Sequence, residues 1–262
     1  MDAFVLTSAA ATLDPRTTLA RPDLAEQALE GIVRADGYRP VRPMHGATPV
    51  ADIRAAADPA SARIDQLLCG EVFEVLDQVG DQVWGRARRD GVVGWMTLSD
   101  LKPGAPIPTR RIANPGGKLP LNALTNDGDV SIGDFARDPV AVAESLVGVP
   151  HSLGARSSVS TDCAGLVQQA LYACGLPGPR YADQQAELGR PADRAEAKRG
   201  DLVVWLHVEG GPGWTGHSAL MLDADRVIHA TGDKGVVVIE AFAEADARYR
   251  ADGFAAPVFR RL

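Results

Sequence analysis

The stretch from Ser160 to Cys174, "STDCAGLVQQALYAC", constrains this chain more than any other. Leu166, Val167, Ala170, Leu171 and Cys174 recur at the three-and-four spacing of one buried helical face, and Ser160 or Thr161 before Asp162 makes a good N-cap. The spacing predicts an apolar helix that carries Cys163 in its first turn. Unpaired N–H groups and the helix dipole favour a thiolate there, so Cys163 is expected to have a lowered pKa and to be a nucleophile. The plain alternative is a small buried cysteine with no chemistry.

Downstream come four apolar, β-branched runs, "GDLVVWLHV", "HSALML", "RVIHAT" and "GVVVIEAF", which predict an antiparallel sheet packed against helices. Upstream, "DPVAVAESLVG" has Asp138 as N-cap, Pro139 at the first helical position and Gly148 at the end. From about Pro49, short alternating runs separated by Pro, Gly and Asp turns predict a small β-barrel. Residues 1–34 contain a helix-like pattern opened by Pro22 and Asp23 and ending near Gly31, with no evident chemistry. The fold class is α+β.

At 262 residues, 45% of them hydrophobic, the chain has material for two or three packed domains. Its 34 acidic against 27 basic residues, with no Lys/Arg-rich run, argue against a nucleic-acid partner. No stretch approaches the roughly 20 apolar residues of a membrane span. The start "MDAFVLTSAAATLD" has an acidic residue where a secretory signal needs basic ones, so a cytoplasmic location and no membrane partner are expected. Oligomeric state is not legible. Of the three cysteines, Cys163 and Cys174 would stand about 16 Å apart along one helix, which excludes a disulfide between them. Cys174 and Cys69 are expected to be core.

A cysteine nucleophile needs a base within hydrogen-bond reach and a polar group that orients the base. His217 opens the strand "HSALML" and His229 sits in "VIHAT", and a hairpin through Asp223, Ala224 and Asp225 brings the two side by side. One serves as base and the other as its orienter. His207 is a rival for the base, while His45 receives no role. Zinc sites use close-spaced ligand pairs such as CxxC, none of which is present, so no metal and no cofactor are expected.

The segments "DCAGLVQ", "RGDLVVW", "GHSALML" and "VIHA", in that order, resemble the NlpC family of papain-like cysteine peptidases that cut bacterial cell-wall peptides. "QLLCGEVFEVLDQVGDQVWGRARRDGVVGWMTLSDL" resembles a bacterial SH3-like domain. The resemblance implies a C-terminal papain-like domain with an antiparallel sheet and a nucleophile helix, preceded by SH3-like barrel structure. The expected division is an N-terminal arm over 1–39, a barrel over 40–104, a reduced second module or linker over 105–137, and the peptidase domain over 138–262. It further implies Cys163 as nucleophile, His217 as base and His229 as the residue orienting it. The implied reaction is hydrolysis of murein peptides at the bond between γ-D-glutamate and a diamino acid.

Several residues near these motifs depart from the family pattern. His151 stands where a site tyrosine is expected, Leu153 replaces a tryptophan, Ala155 a glycine and Ala164 a serine. In "GPRYADQQ", Pro179 and Arg180 match, but Tyr181 stands where an aspartate would hold the free amine of an N-terminal L-alanine. Losing that charge-assisted hydrogen bond removes about 1.5–3 kcal/mol of recognition, with Asp183 as a substitute two residues on. Asp162, His151, Ala164, Arg180, Tyr181, Asp183 and Trp214 are therefore the candidate substrate-binding residues. The residues leave open a hydrolase of shifted specificity, a papain-like acyltransferase, and an idle module that only binds wall peptides.

Overall fold

Alternation of large apolar and polar side chains makes strands of much of the stretch 42–103. The computed structural model describes residues 13–207 and 216–262. Two short parallel strands, β1 (Ala25–Glu26) and β2 (Tyr38–Arg39), precede seven that form one antiparallel sheet. These are β3 (Arg42–Gly46), β4 (Val50–Arg54), β5 (Arg63–Leu68), β6 (Val72–Val79), β7 (Gln82–Ala87), β8 (Val93–Thr97) and β9 (Leu101–Pro103), in the order β5-β4-β8-β7-β6-β3-β9. All seven strands contribute to a single cluster around Phe73, Ile53, Leu67, Val83 and Met96, so the sheet is rolled around its own core.

The helix anticipated between Pro22 and Gly31 is absent, apart from one 3-10 turn over Gln27–Leu29. Leu19 and Leu24 instead pack on Leu76 and Trp84 of the rolled sheet, and this contact overrides local helix propensity. After the sheet, β10 (Arg110–Arg111), β11 (Leu124–Thr125) and β12 (Val130–Ser131) form a three-stranded patch with β10 in the middle. The Leu124 N–H donates to the Cys69 carbonyl at 2.9 Å, and buried Arg111 donates to the Ala173 carbonyl at 3.1 Å. The patch thereby connects the rolled sheet to the second half of the chain.

That second half is a six-stranded antiparallel sheet with helices on both faces. Its elements are α1 (Pro139–Glu144), α2 (Cys163–Ala173), α3 (Ala182–Gln185), β13 (Arg190–Ala192), β14 (Leu202–Leu206), β15 (Gly216–Met221), β16 (Arg226–Thr231), β17 (Val236–Ala241), α4 (Phe242–Ala251) and β18 (Val258–Arg261). The strand order is β13-β18-β14-β15-β16-β17. Leu166, Val167, Ala170 and Leu171 of α2 join Leu202, Val204, Leu220 and Ile228 in one core, while Phe242, Ala245 and Tyr249 of α4 join Val203, Trp205, Ala219 and Val227 in the other. The class is α+β. No helix among the described residues is long and apolar enough to cross a membrane.

Helix α2 is buried all round from Ala164 to Ala173, rather than along one stripe. Cys174 is its C-cap and is half-buried, as is Cys69, so neither is the core residue that was expected. On the side of α2 away from the sheet lies the joint with the rolled sheet, built of charge. Arg156 is fully buried and donates from Nε to Asp65 at 3.0 Å and from Nη2 to Glu71 at 2.6 Å. Arg180 Nε lies 2.8 Å from the same Asp65, and Arg89 reaches Glu71 at 2.7 Å. Burial and the nearby Asp90 push the Asp65 carboxyl well above its ordinary range. Burial would do the same to Glu71, but Arg156 and Arg89 hold it down at about 2.

Candidate active site

Asp162, rather than Ser160 or Thr161, is the N-cap of α2. One carboxylate oxygen accepts from the Gly165 N–H at 2.8 Å and the other from the Gly154 N–H at 2.9 Å. Arg180 adds a two-pronged pair at 3.0 and 2.6 Å. Two glycines permit this packing. A Cβ on Gly165 would stand 2.3 Å from the Ala155 carbonyl oxygen, and one on Gly154, where φ is +74°, would stand 2.2 Å from the Arg63 carbonyl oxygen of β5. The loop before the helix is thus pressed between α2 and the rolled sheet, and Cys163 becomes the first helical residue.

The Cys163 thiol meets the backbone N–H groups of Ser218 and Ala164. Ser218 is the chain neighbour of His217, so the helix start and β15 converge here. The expected lowering of the thiol pKa is not found: burial, reinforced by the Asp162 carboxylate, pushes it up to about 12. The N–H groups and Arg180 pull the other way but do not overcome this.

On the adjacent strands, His217 Nε2 lies 2.7 Å from His229 Nδ1, with the rings nearly perpendicular. Tyr249, from α4, stacks on His217 at 4.1 Å between ring centroids and brings its hydroxyl 2.9 Å from the same Nε2. The Tyr249 hydroxyl donates to Thr231 Oγ1 at 3.3 Å. Behind His229, Glu240 Oε1 is 2.7 Å from Nε2, and Arg248 forks onto Glu240. Burial, then the positive charge that His229, His151 and Arg248 bring when protonated, hold His217 well below its usual value, so it is a neutral base near neutral pH. Glu240, although burial opposes it, is held at about 2 by His229 and Arg248.

The remaining candidates fall into two groups. His151 lies near the cluster: its backbone N–H donates to the Gly235 carbonyl at 2.8 Å, and the pKa of its ring is lowered by burial and His229 against the pull of Asp162. Asp162 and Arg180 are buried and bound to one another, so they build the loop and do not offer themselves to a ligand. Ala164 is buried within the first turn of α2. Tyr181 packs onto the core of the rolled sheet, with the Arg16 guanidinium 4.4 Å from its ring centre. The same Arg16 binds both oxygens of Asp183, at 3.1 and 2.6 Å, so Asp183 is already matched to a cation. His207 packs edge-on against Phe254, 5.2 Å between ring centres, two residues beyond the Trp205 that pairs with His217. Trp214 lies outside the described residues. No cluster of three or more metal-ligating side chains occurs among the described residues.

Tyr249, Glu240 and Arg248 were not singled out from the sequence. The available signal was weak: Glu240 is the one charge in the run "VVVIEA", and a lone acid in an apolar strand needs a partner.

Comparison with known proteins agrees with this architecture. Residues 53–101 match the bacterial dipeptidyl-peptidase SH3 domain and residues 148–253 match the NlpC/P60 family. A relative in Mycobacterium tuberculosis, the peptidoglycan endopeptidase RipB, is 34% identical over 116 residues, which cover 39% of this chain and 46% of that protein. The γ-D-glutamyl-L-lysine dipeptidyl-peptidase of Bacillus subtilis is 28% identical over 95 residues, covering 36% and 32%. This chain therefore matches less than half the length of either relative. A solved NlpC/P60 family protein from Bacillus cereus superposes with a TM-score of 0.66 at 17% identity, over 84% of this chain and 99% of that one, and so shares the fold. Residues 148–253 thus match an NlpC/P60 family domain, with an SH3 domain over residues 53–101 ahead of it.

Proposed function

We propose that the protein is a cysteine peptidase acting on murein peptides, with Cys163 as nucleophile, His217 as base and His229 as the residue that orients the base. The carrying observation is the 2.7 Å contact between His217 Nε2 and His229 Nδ1, beside a cysteine at a helix start. Nε2 of His217 is engaged by His229 and Tyr249, which leaves Nδ1 to accept a proton. With the thiol pKa high and the imidazole neutral, a resting thiolate–imidazolium pair is disfavoured. Instead, the thiol proton passes to His217 as the sulfur attacks the amide carbonyl. The Cys163 N–H at the helix start stabilises the oxyanion. The protonated His217 then gives its proton to the leaving amine, water hydrolyses the thioester with His217 again as base, and the thiol is restored.

The match of residues 148–253 to the NlpC/P60 family and the names of the similar proteins support murein peptide hydrolysis in general. The bond between γ-D-glutamate and the diamino acid is the finer reading, supported by the B. subtilis relative's name. The capture of Asp183 by Arg16 favours fragments whose L-alanine amine is blocked or absent. The test is to incubate the protein and its Cys163→Ala variant with murein tetrapeptides, free and N-acetylated, in ¹⁸O-water, and to read products by mass. One ¹⁸O in the new γ-D-glutamyl carboxyl, lost in the variant, supports the hydrolase. Transfer to an added amine without ¹⁸O marks an acyltransferase. Binding of intact peptide by both proteins marks an idle module. A clear preference for the free-amine peptide overturns the shifted specificity.

A further inference from the structure

Behind the histidine pair lies a second layer of charge that the proposed reaction does not use directly. We propose that Glu240, clamped by Arg248, is a positioning residue that fixes the tautomers of both histidines and leaves the lone pair of His217 on Nδ1. The inference rests on the reading of Cys163 and His217 as nucleophile and base.

The argument is one of donors and acceptors. An ionised carboxylate accepts only, so the His229 nitrogen 2.7 Å from Glu240 Oε1, Nε2, must carry a hydrogen. In a neutral ring Nδ1 of His229 is then a bare acceptor, and it faces His217 Nε2 at 2.7 Å. That nitrogen must in turn carry a hydrogen, which places the lone pair of His217 on Nδ1. Tyr249 fits the same pattern: its own hydrogen goes to Thr231, so its oxygen is free to accept a share of the His217 Nε2–H at 2.9 Å. The reverse tautomers would point the lone pair of His229 Nε2 at an anion. Arg248 completes the arrangement, donating from Nη1 to Glu240 Oε2 at 3.1 Å and from Nη2 to Oε1.

His229 from β16, Arg248 from α4 and His151 from the loop before α2 bear on His217 directly, while Glu240 from β17 acts on His229, Cys163 from α2 on Tyr249 of α4, and Asp162 on His151. Asp233, in the β16–β17 turn, lies 4.0 Å from Arg248 Nε. Two of these charges give opposite predictions. Glu240→Gln removes the anion that stabilises imidazolium, so the acid limb of kcat/KM should move to lower pH. The plateau should fall by roughly 10²-fold, the low end of what a positioned base contributes. Arg248→Met leaves the carboxylate uncompensated, so the acid limb should move to higher pH. A merely structural role predicts no such opposed shifts.

The test begins with ¹⁵N-histidine NMR of the wild-type protein, where both His217 and His229 should carry their hydrogen on Nε2. The pH profiles of Glu240→Gln and Arg248→Met are measured next. A hydrogen on His217 Nδ1 in the wild type, or shifts of the same sign in the two variants, overturns the proposal. If both variants misfold, the wild-type tautomers alone decide. A wild-type protein with both hydrogens on Nε2 that cleaves no murein peptide refutes the peptidase reading and leaves only the tautomer assignment standing.

Discussion

Two polar clusters are buried in this molecule, and they are built on opposite plans. At the joint between the rolled sheet and the family domain, Arg156 and Arg180 are set among the carboxyl groups of Asp65, Glu71 and Asp162, held in fixed, forked geometry. In the candidate active site, the inner groups are a neutral imidazole, a second imidazole and a phenol, and full charge enters only one layer out, at Glu240 and Arg248. Guanidinium–carboxylate pairs lock orientation because neither partner readily gives up its state. Neutral groups of intermediate basicity leave a proton free to move. Charge is used where shape must hold, and its absence where chemistry must happen.

The strongest way to break the comparison is Arg156→Ala. It removes the cation that Asp65 and Glu71 share, leaving each with one remaining partner, Arg180 and Arg89, and urea denaturation should register a loss of about 3 kcal/mol. A loss below about 1 kcal/mol would mean that the joint is not held by charge.

Acid titration sharpens it further. The Glu71 pKa is depressed from 4.5 to about 2, so its stabilisation is complete above 4.5 and is lost as pH falls toward 2, on the order of 3 kcal/mol in all. His217 is also depressed, from 6.5, and its contribution is lost from near pH 6.5 downward. Stability against pH should therefore decline in two stages. His217→Gln should shrink the earlier stage to the part that His151 contributes and keep the later one, as denaturation midpoints across pH 3–8 would reveal.

Tyr249→Phe is the mildest probe. It keeps the stacked ring and deletes one hydroxyl, costing about 1 kcal/mol of stability. Turnover should drop several-fold, because His217 Nε2 loses one of its two partners. An unchanged rate would place the phenol outside the proton chemistry.

Helix α2 and the strands β14 to β17 were legible because short-range signals specify them: a cap, a three-and-four apolar spacing and β-branched runs. The charged joint was not. In a one-dimensional reading, Asp65, Glu71 and Arg156 look like residues of a solvated face, since their partners lie 85 to 91 positions away in the chain. Helix α4 escaped notice because "FAEADARYRA" is mostly polar, and β18 because its place beside β14 is set by the sheet. The raised thiol pKa was missed for a related reason. A helix start argues for a thiolate, while the burial and the Asp162 neighbour that outweigh it belong to the folded environment.

The close seat of Gly154 on the carbonyl of Arg63 has a consequence for heredity. The loop that leads into Cys163 is seated against the neighbouring SH3 domain. In a genetic selection for loss of the proposed activity, substitutions at Arg63 or Asp65 should surface beside those at Cys163 and His217. An exchange of SH3 domains between relatives should succeed only when the donor brings a matching edge, so the two halves are expected to be inherited as a pair.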